Sequence, residues 1–131
     1  MSQENVEVVR RAVESFNEVG FGSEAFFDAA LVFEEPPEQP APRVARGREE
    51  AIRIFNEFEE AWAEHRSEPE EFRVIDHERV LLLTIEHFRG RDGIEIDQPS
   101  AAVFTVRGGK IARMQAFWER ETALAAAGLA A

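Results

Sequence analysis

Two side chains in this sequence have the type and placing for proton transfer, Glu35 and His87. Glu35 stands directly before Pro36, at the end of the short apolar run LVFEE from Leu31 to Glu35, and strand alternation puts it on the same side as Phe33. If Phe33 joins the core, Glu35 is carried toward the interior while Glu34 faces water. A carboxylate held there without a nearby Arg or Lys has its pKa raised by desolvation, which suits it to take a proton from a carbon acid or a water. The plainer alternative is a solvated acid, because Glu34 and Glu38 flank it in an acid-rich loop. His87 shares a strand face with Leu81, Leu83 and Ile85 and could supply or accept the second proton; its alternative is a structural or rim histidine. His65 and His77 fall at an expected helix end and a turn, with no spacing to His87 that puts two ligands on one element. No metal site is expected, and no cofactor is called for.

A second set of residues could line a lipophilic pocket: Phe33, Phe55, Trp62, Phe104, Met114 and Trp118, with Gln98 and Ser100 as hydrogen-bonding points. Core packing accounts for the same aromatic residues, since rings at regular spacing usually fill an interior. Asp97 has the opposite parity to Gln98, and which of the two faces inward is left open by the pattern.

The elements that must position these residues are legible in outline. In SAAVFTVRGGKIARMQAFW, Ser100 to Trp118, two apolar-rich runs flank Gly108-Gly109, a pair suited to the primed turn of a hairpin. Both faces of the hairpin are partly apolar, so both need cover. From Glu4 to Val19 the positions Val6, Val9, Val13 and Phe16 make an amphipathic helix, with Ser2 as a cap and Gly20 as a stop. Ser23 is expected to cap a short second helix carrying Phe26 and Phe27. Pro36, Pro37, Pro40 and Pro42 define a loop. Gly47 opens a third helix with Ile52, Phe55, Phe58 and Trp62 on one stripe, closed by His65 and Arg66. Strands follow at Phe72 to Asp76, Arg79 to Arg89 and Ile94 to Arg107, the last with a bulge or bend at Pro99. The tail ERETALAAAGLAA should form a short helix fraying after Gly128. The expectation is an α+β fold: three amino-terminal helices packed on a strongly curved antiparallel sheet, a short carboxyl-terminal helix, and one domain over residues 1–131.

Composition narrows the function classes. The 26 acidic against 15 basic residues give a net charge of −11, with the basic residues scattered among the acids, which disfavours nucleic acid and anionic membranes as partners. With no cysteine there is no thiolate nucleophile and no disulfide. MSQENVEVVRR has no apolar signal core, and no apolar run approaches the roughly 20 residues that span a bilayer. A cytoplasmic protein is the expectation.

The helix-turn VVRRAVESFNEVGFG, the strand-to-proline step VFEEPP, the helix opening GREEAIRIF and the terminal GGKIARMQAFWE, in this order and spacing, resemble the nuclear transport factor 2-like superfamily and, within it, the SnoaL-like group of polyketide-cyclase relatives. The resemblance spans nearly the whole chain. It implies a cone-shaped α+β barrel, commonly dimeric, whose pocket serves isomerases, dehydratases, cyclases and epoxide hydrolases, and also members without catalysis. It also places the His87 face toward the cavity and Trp118 at its deep end, beside the small Ala116. Ketosteroid isomerase has a carboxylate base just before a proline, as Glu35 is here. Its oxyanion donors have no counterpart: the chain has no Tyr, and the matching positions fall near Val13, Phe55 and Ala102. The last-strand Asp of limonene epoxide hydrolase falls near Ala116, and its Arg-x-Asp pair is replaced by Thr84-Ile85-Glu86.

The resulting expectation is a small-molecule pocket protein for a compact, apolar or polyketide-like ligand. In its catalytic version Glu35, assisted by His87, performs isomerase, cyclase or dehydratase chemistry. The alternative is a non-catalytic ligand-binding or dimerisation domain with a packed cavity; a continuous cavity of roughly 300 Å³ or more reaching Glu35 separates the two. A homodimer is expected through the outer sheet face, where Val103, Thr105, Arg113, Gln115 and Phe117 have no further segment to cover them.

Overall fold

Gly108 and Gly109 take φ values of 57° and 77°, the left-handed geometry that a two-residue hairpin turn demands and that a Cβ would oppose. The turn joins β5 (Glu95–Arg107) to β6 (Lys110–Phe117), and the rest of the sheet is laid on this hairpin. The computed structural model describes residues 2–129. In chain order the other elements are α1 (Ser2–Val19), β1 (Phe27–Glu34), β2 (Val44–Arg46), α2 (Arg48–Glu59), β3 (Trp62–Val74), β4 (Arg79–Gly90) and α3 (Arg120–Ala126). The six strands lie in the order β2-β1-β6-β5-β4-β3. All neighbours are antiparallel except β1 and β6. The sheet ends in two edges, β2 and β3, and is therefore an open cone rather than a closed barrel.

The inner face carries the main core. Val6, Val9, Ala12 and Val13 of α1 are buried against Leu31, Phe33, Val80, Leu82, Phe104 and Ile111 of the sheet, with Ala51 and Ile54 of α2 beside them. The three- and four-residue spacing of the α1 residues is what turns them to one side. Gly20 ends α1 as expected, at φ 97° with its N–H donating to Phe16 O at 3.0 Å. The outer face has its own smaller core: Leu81, Leu83, Ala101, Val103 and Phe117 are covered by Ala123 and Leu124 of α3 and by Ala127 directly after it. The tail helix thus covers part of the face expected to be open for dimerisation.

The local elements differ from expectation in three places. The segment after Ser23 is a turn, with the N–H groups of Phe26 and Phe27 both donating to Ser23 O at 3.1 and 3.0 Å. The chain then enters β1 at Phe27, whose ring is buried, so two helices rather than three precede the main sheet. α2 ends at Glu59, and Trp62, His65 and Arg66 belong to β3. Pairing decides this boundary: β3 runs alongside β4 from Trp62 opposite Gly90 to Val74 opposite Val80, a ladder that outweighs one more helical turn. Pro99 makes no bulge against β4, where the register is unbroken from Arg79–Thr105 to Arg89–Glu95. It lies past Ala101, the last β5 residue that β6 pairs with, so one side of the strand needs no donor there. The register shifts lie elsewhere, between Pro69 and Glu71 in β3 and at Thr105–Val106 in β5. The Ser2 side chain, expected to cap α1, and the tail beyond Leu129 lie outside the described residues.

Candidate functional site

Strand alternation on β4 builds the site. Leu82, Thr84, Glu86 and Phe88 point to the inner face, and the β3 register sets Ser67 opposite Glu86 and His65 opposite Phe88. Phe16 of α1 and Phe55 and Phe58 of α2 lie over them, and together they enclose a largely apolar cavity of about 140 Å³.

A hydrogen-bonded polar group centred on His65 interrupts this apolar wall. His65, with 6% of its side chain exposed, meets Glu59 Oε2 through Nδ1 at 2.6 Å and Glu86 Oε1 through Nε2 at 2.7 Å. The Ser67 hydroxyl donates to Glu86 Oε2 at 2.7 Å. Asn17 fixes the Ser67 backbone, accepting its N–H at 2.9 Å and donating to its carbonyl at 2.8 Å. Burial alone would push the imidazole pKa down. The hydrogen bonds and charges of the two glutamates outweigh it and raise it to about 9, so His65 is an imidazolium donating from both nitrogens. Burial likewise pushes the Glu86 carboxyl up, but His65, Thr84 and Ser67 hold it below the usual carboxylate range. Phe88 stacks on the His65 ring at 4.3 Å and Phe16 meets it edge-on at 5.0 Å.

Glu35 lies on the cavity wall with 9% of its side chain exposed. The expectation of a desolvated carboxylate without a basic neighbour does not hold. Arg43 donates to it from its backbone N–H at 2.8 Å, from Nε at 3.0 Å and from Nη2 at 3.2 Å. Burial pushes the Glu35 carboxyl up, and the Arg43 contacts, with help from Gln39, more than cancel this, leaving it below its ordinary value. Arg43 also reaches Glu57 of α2 at 3.0 Å, which ties the proline loop to that helix. At the loop's other anchor, Glu38 accepts the N–H groups of Trp118 and Glu119, both at 3.2 Å.

His87 is on the other side of the sheet. Its parity with Leu81 and Leu83 was read correctly, but that face packs on α3, not on the cavity. The ring lies between Glu68 Oε1 at 2.6 Å and Asp97 Oδ1 at 2.7 Å. The structure therefore does not bring Glu35 and His87 together. Of the proposed lining residues, Phe33, Phe55, Ser100, Phe104, Met114 and Trp118 border the cavity, and Trp62 and Gln98 do not. Trp62 stands behind the wall against Phe88 at 4.5 Å, its buried Nε1 without a partner among the described residues. Gln98 has the inward parity and Asp97 the outward one. The Gln98 amide, however, donates to Pro99 O at 2.8 Å and Trp118 O at 3.4 Å.

Sequence reasoning missed His65, Ser67 and Glu86. His65 was hidden by extending α2 to Arg66, and Ser67 by lying between that helix and the strand expected from Phe72. Glu86 was hidden because Leu81, Leu82 and Leu83 are apolar on both parities and do not tell which face is inner. The available signal was an ionisable residue on the same parity as Leu82 and Phe88 in an otherwise apolar strand. Among the described residues no group of three or more His, Cys, Asp or Glu is placed to hold a metal ion, and no helix is long and apolar enough to cross a membrane.

Residues 9–114 match the SnoaL-like domain family, and the chain belongs to that family, within the nuclear transport factor 2-like superfamily. No curated protein matches it in sequence. Solved structures share the fold at low identity. An NTF2-like protein of unknown function from Burkholderia pseudomallei K96243 is 18% identical, covers 93% of this chain and 95% of its own, and superposes with a TM-score of 0.77. A candidate SnoaL-like polyketide cyclase from Jannaschia sp. CCS1 is 17% identical over 99% of this chain and 95% of its own, with a TM-score of 0.76. TerC, co-crystallised with polyporic acid, is 15% identical over 95% and 98%, also with a TM-score of 0.76.

Proposed function

We propose that this SnoaL-like domain binds one compact, largely apolar small molecule in the cavity between α1, α2 and the inner sheet face. The observation that carries this reading is the cavity itself, about 140 Å³ of aromatic-lined space with the ordered His65–Glu86–Ser67 group on its wall. The cavity reaches Glu35 but falls short of the roughly 300 Å³ that separates an ordinary ligand pocket from the packed alternative. The reading is kept only for a ligand of one-ring size, since the volume matches a cavity that holds a single benzene ring, about 150 Å³. TerC with polyporic acid and the Jannaschia cyclase candidate support a small-molecule role for the shared fold.

The acid/base version of this function, of isomerase, cyclase or dehydratase type, has Glu35 on the cavity wall but without His87, which lies across the sheet. The Arg43 pairing makes Glu35 a poor proton acceptor, and the His65 N–H groups are both engaged. Binding is therefore placed ahead of catalysis. The homodimer is retained in this proposal through the part of the outer face that α3 leaves uncovered, around Val32, Arg113 and Gln115. An interface there of about 1,000 Å² or more would make it a stable dimer, and sedimentation at micromolar concentration checks it.

Native mass spectrometry with a mixture of one-ring and fused three-ring compounds tests the binding reading. One-ring compounds are expected to be retained one per chain and the larger ones excluded. Ala116→Phe, which fills the cavity from β6, is expected to abolish retention. If no one-ring compound is retained, the packed, non-binding alternative takes its place.

A further inference from the structure

Phe58, Phe88 and Trp118 meet at one end of the cavity. Phe58 lies 5.8 Å from Phe88 and 5.8 Å from Trp118, and Phe88 lies 6.3 Å from Trp118, between ring centroids. Their planes are inclined by 76°, 40° and 62°, so the rings form a corner rather than a stack. All three rings border the cavity, and the face of an aromatic ring carries the negative end of its quadrupole. Glu86 lies two residues from Phe88 on the same side of β4 and borders the same cavity.

The hydrogen bonds at this end are one-sided. His65 spends both N–H groups on Glu59 and Glu86, the Ser67 hydroxyl is spent on Glu86, and the Ser100 hydroxyl on Gln98 O at 3.3 Å. None of these donors is left for a ligand. A carboxylate offers about four acceptor positions, and His65 and Ser67 fill two of those on Glu86 with a further contribution from Thr84. The charges are one-sided as well. Glu59, His65 and Glu86 together carry −1, Glu35 and Arg43 cancel, and the whole chain has a formal charge of −11 with its histidines counted as neutral. The His65 charge does little to repel a cation, because it is directed at the two glutamates that clasp it.

Resting on the reading of this cavity as a ligand site, we infer that its occupant is a compact organic ammonium, its hydrocarbon part among the Phe rings and its N–H groups directed at Glu86. The ring corner adds cation–π attraction, the mode by which aromatic cages hold alkylammonium groups. A carboxylate ligand of the same size meets spent donors and an acidic wall.

Ligand-observed NMR titration of the full chain at pH 7 with benzylamine, benzyl alcohol and benzoate tests this, since the three share one ring and differ in charge. Benzylamine is expected to bind about tenfold tighter than benzyl alcohol, and benzoate most weakly. Glu86→Gln is expected to remove the preference, so that benzylamine and benzyl alcohol bind the variant alike whatever their common affinity, with a thermal melt showing that the variant is folded. If that variant does not fold, the salt dependence of the native chain serves instead: added salt should weaken benzylamine and leave benzyl alcohol unchanged. Benzyl alcohol or benzoate binding as tightly as benzylamine overturns the ammonium inference and leaves the pocket reading standing. Failure of all three to bind overturns both.

Discussion

His65 is clasped by two glutamates among phenylalanine rings, and its charge is linked to folding. Its folded pKa of about 9 lies above the roughly 6.5 of an unfolded histidine. The stabilisation is therefore fully present below about pH 6.5 and is lost as pH rises through about 9. At 1.36 kcal/mol per unit the difference is on the order of 3 kcal/mol. Denaturant midpoints measured from pH 6 to pH 10 should fall across that window, and His65→Gln should flatten the dependence; His87→Gln, at a more exposed ring, should leave most of it. Glu35 carries the second prediction at this scale. Held ionised by Arg43, it should titrate below an ordinary glutamate in a carboxyl NMR experiment, and Arg43→Ala should move it upward. An elevated value in the native chain would restore it as a base. These two residues also mark where the sequence stopped being legible. The Phe33–Glu35 parity was readable and correct, whereas Arg43, eight residues away across a proline loop, meets Glu35 only because the loop doubles back, which no periodicity records.

Elements were legible wherever a local signal agreed with the tertiary one. The GlyGly hairpin, the α1 stripe and the opening of α2 at Gly47 combine turn chemistry with burial, and each forms as read. The α2–β3 boundary was not legible, because Trp62 continues the Ile52, Phe55, Phe58 spacing and is equally acceptable at the start of a strand. Only the ladder with β4 distinguishes the two. Gly22 shows how tightly the α1–β1 connection is packed. It has φ 96°, and a Cβ there would run into Ile52 of α2. Gly22→Ala should therefore destabilise the protein by about 1 kcal/mol or more, and denaturant unfolding checks it. Trp118 bounds a cavity on one side and is half-buried, so Trp118→Ala should cost less than the 3 to 5 kcal/mol typical of a fully buried aromatic residue. Ile111→Ala, at a completely buried site, is the comparison and should cost about 2 to 5 kcal/mol.

For the whole molecule, the order of helices and strands announces an α+β cone, and the SnoaL-like motifs sharpen that to a family. Which side of β4 faces inward was beyond reach of the same pattern, because both sides of this sheet are buried. Cavity size was also beyond reach, being the residue of many packed volumes rather than a property of any one stretch. The outer core belongs to the tail. Removing residues 119–131 would uncover Leu81, Leu83, Val103 and Phe117, and the shortened chain should self-associate or lose its cooperative melt, as light scattering and calorimetry would show.

Glu38 gives the molecule a latch. Its carboxylate reaches from the proline loop, whose Pro36 and Gln39 border the cavity, to the amide groups of Trp118 and Glu119, the last residues before α3 begins. The same two bonds hold a loop that borders the cavity and the start of the tail helix, so a displacement of either is passed to the other through one mechanical joint. Hydrogen exchange at the Trp118 and Glu119 amides should quicken together in Glu38→Ala and slow together when the cavity is filled.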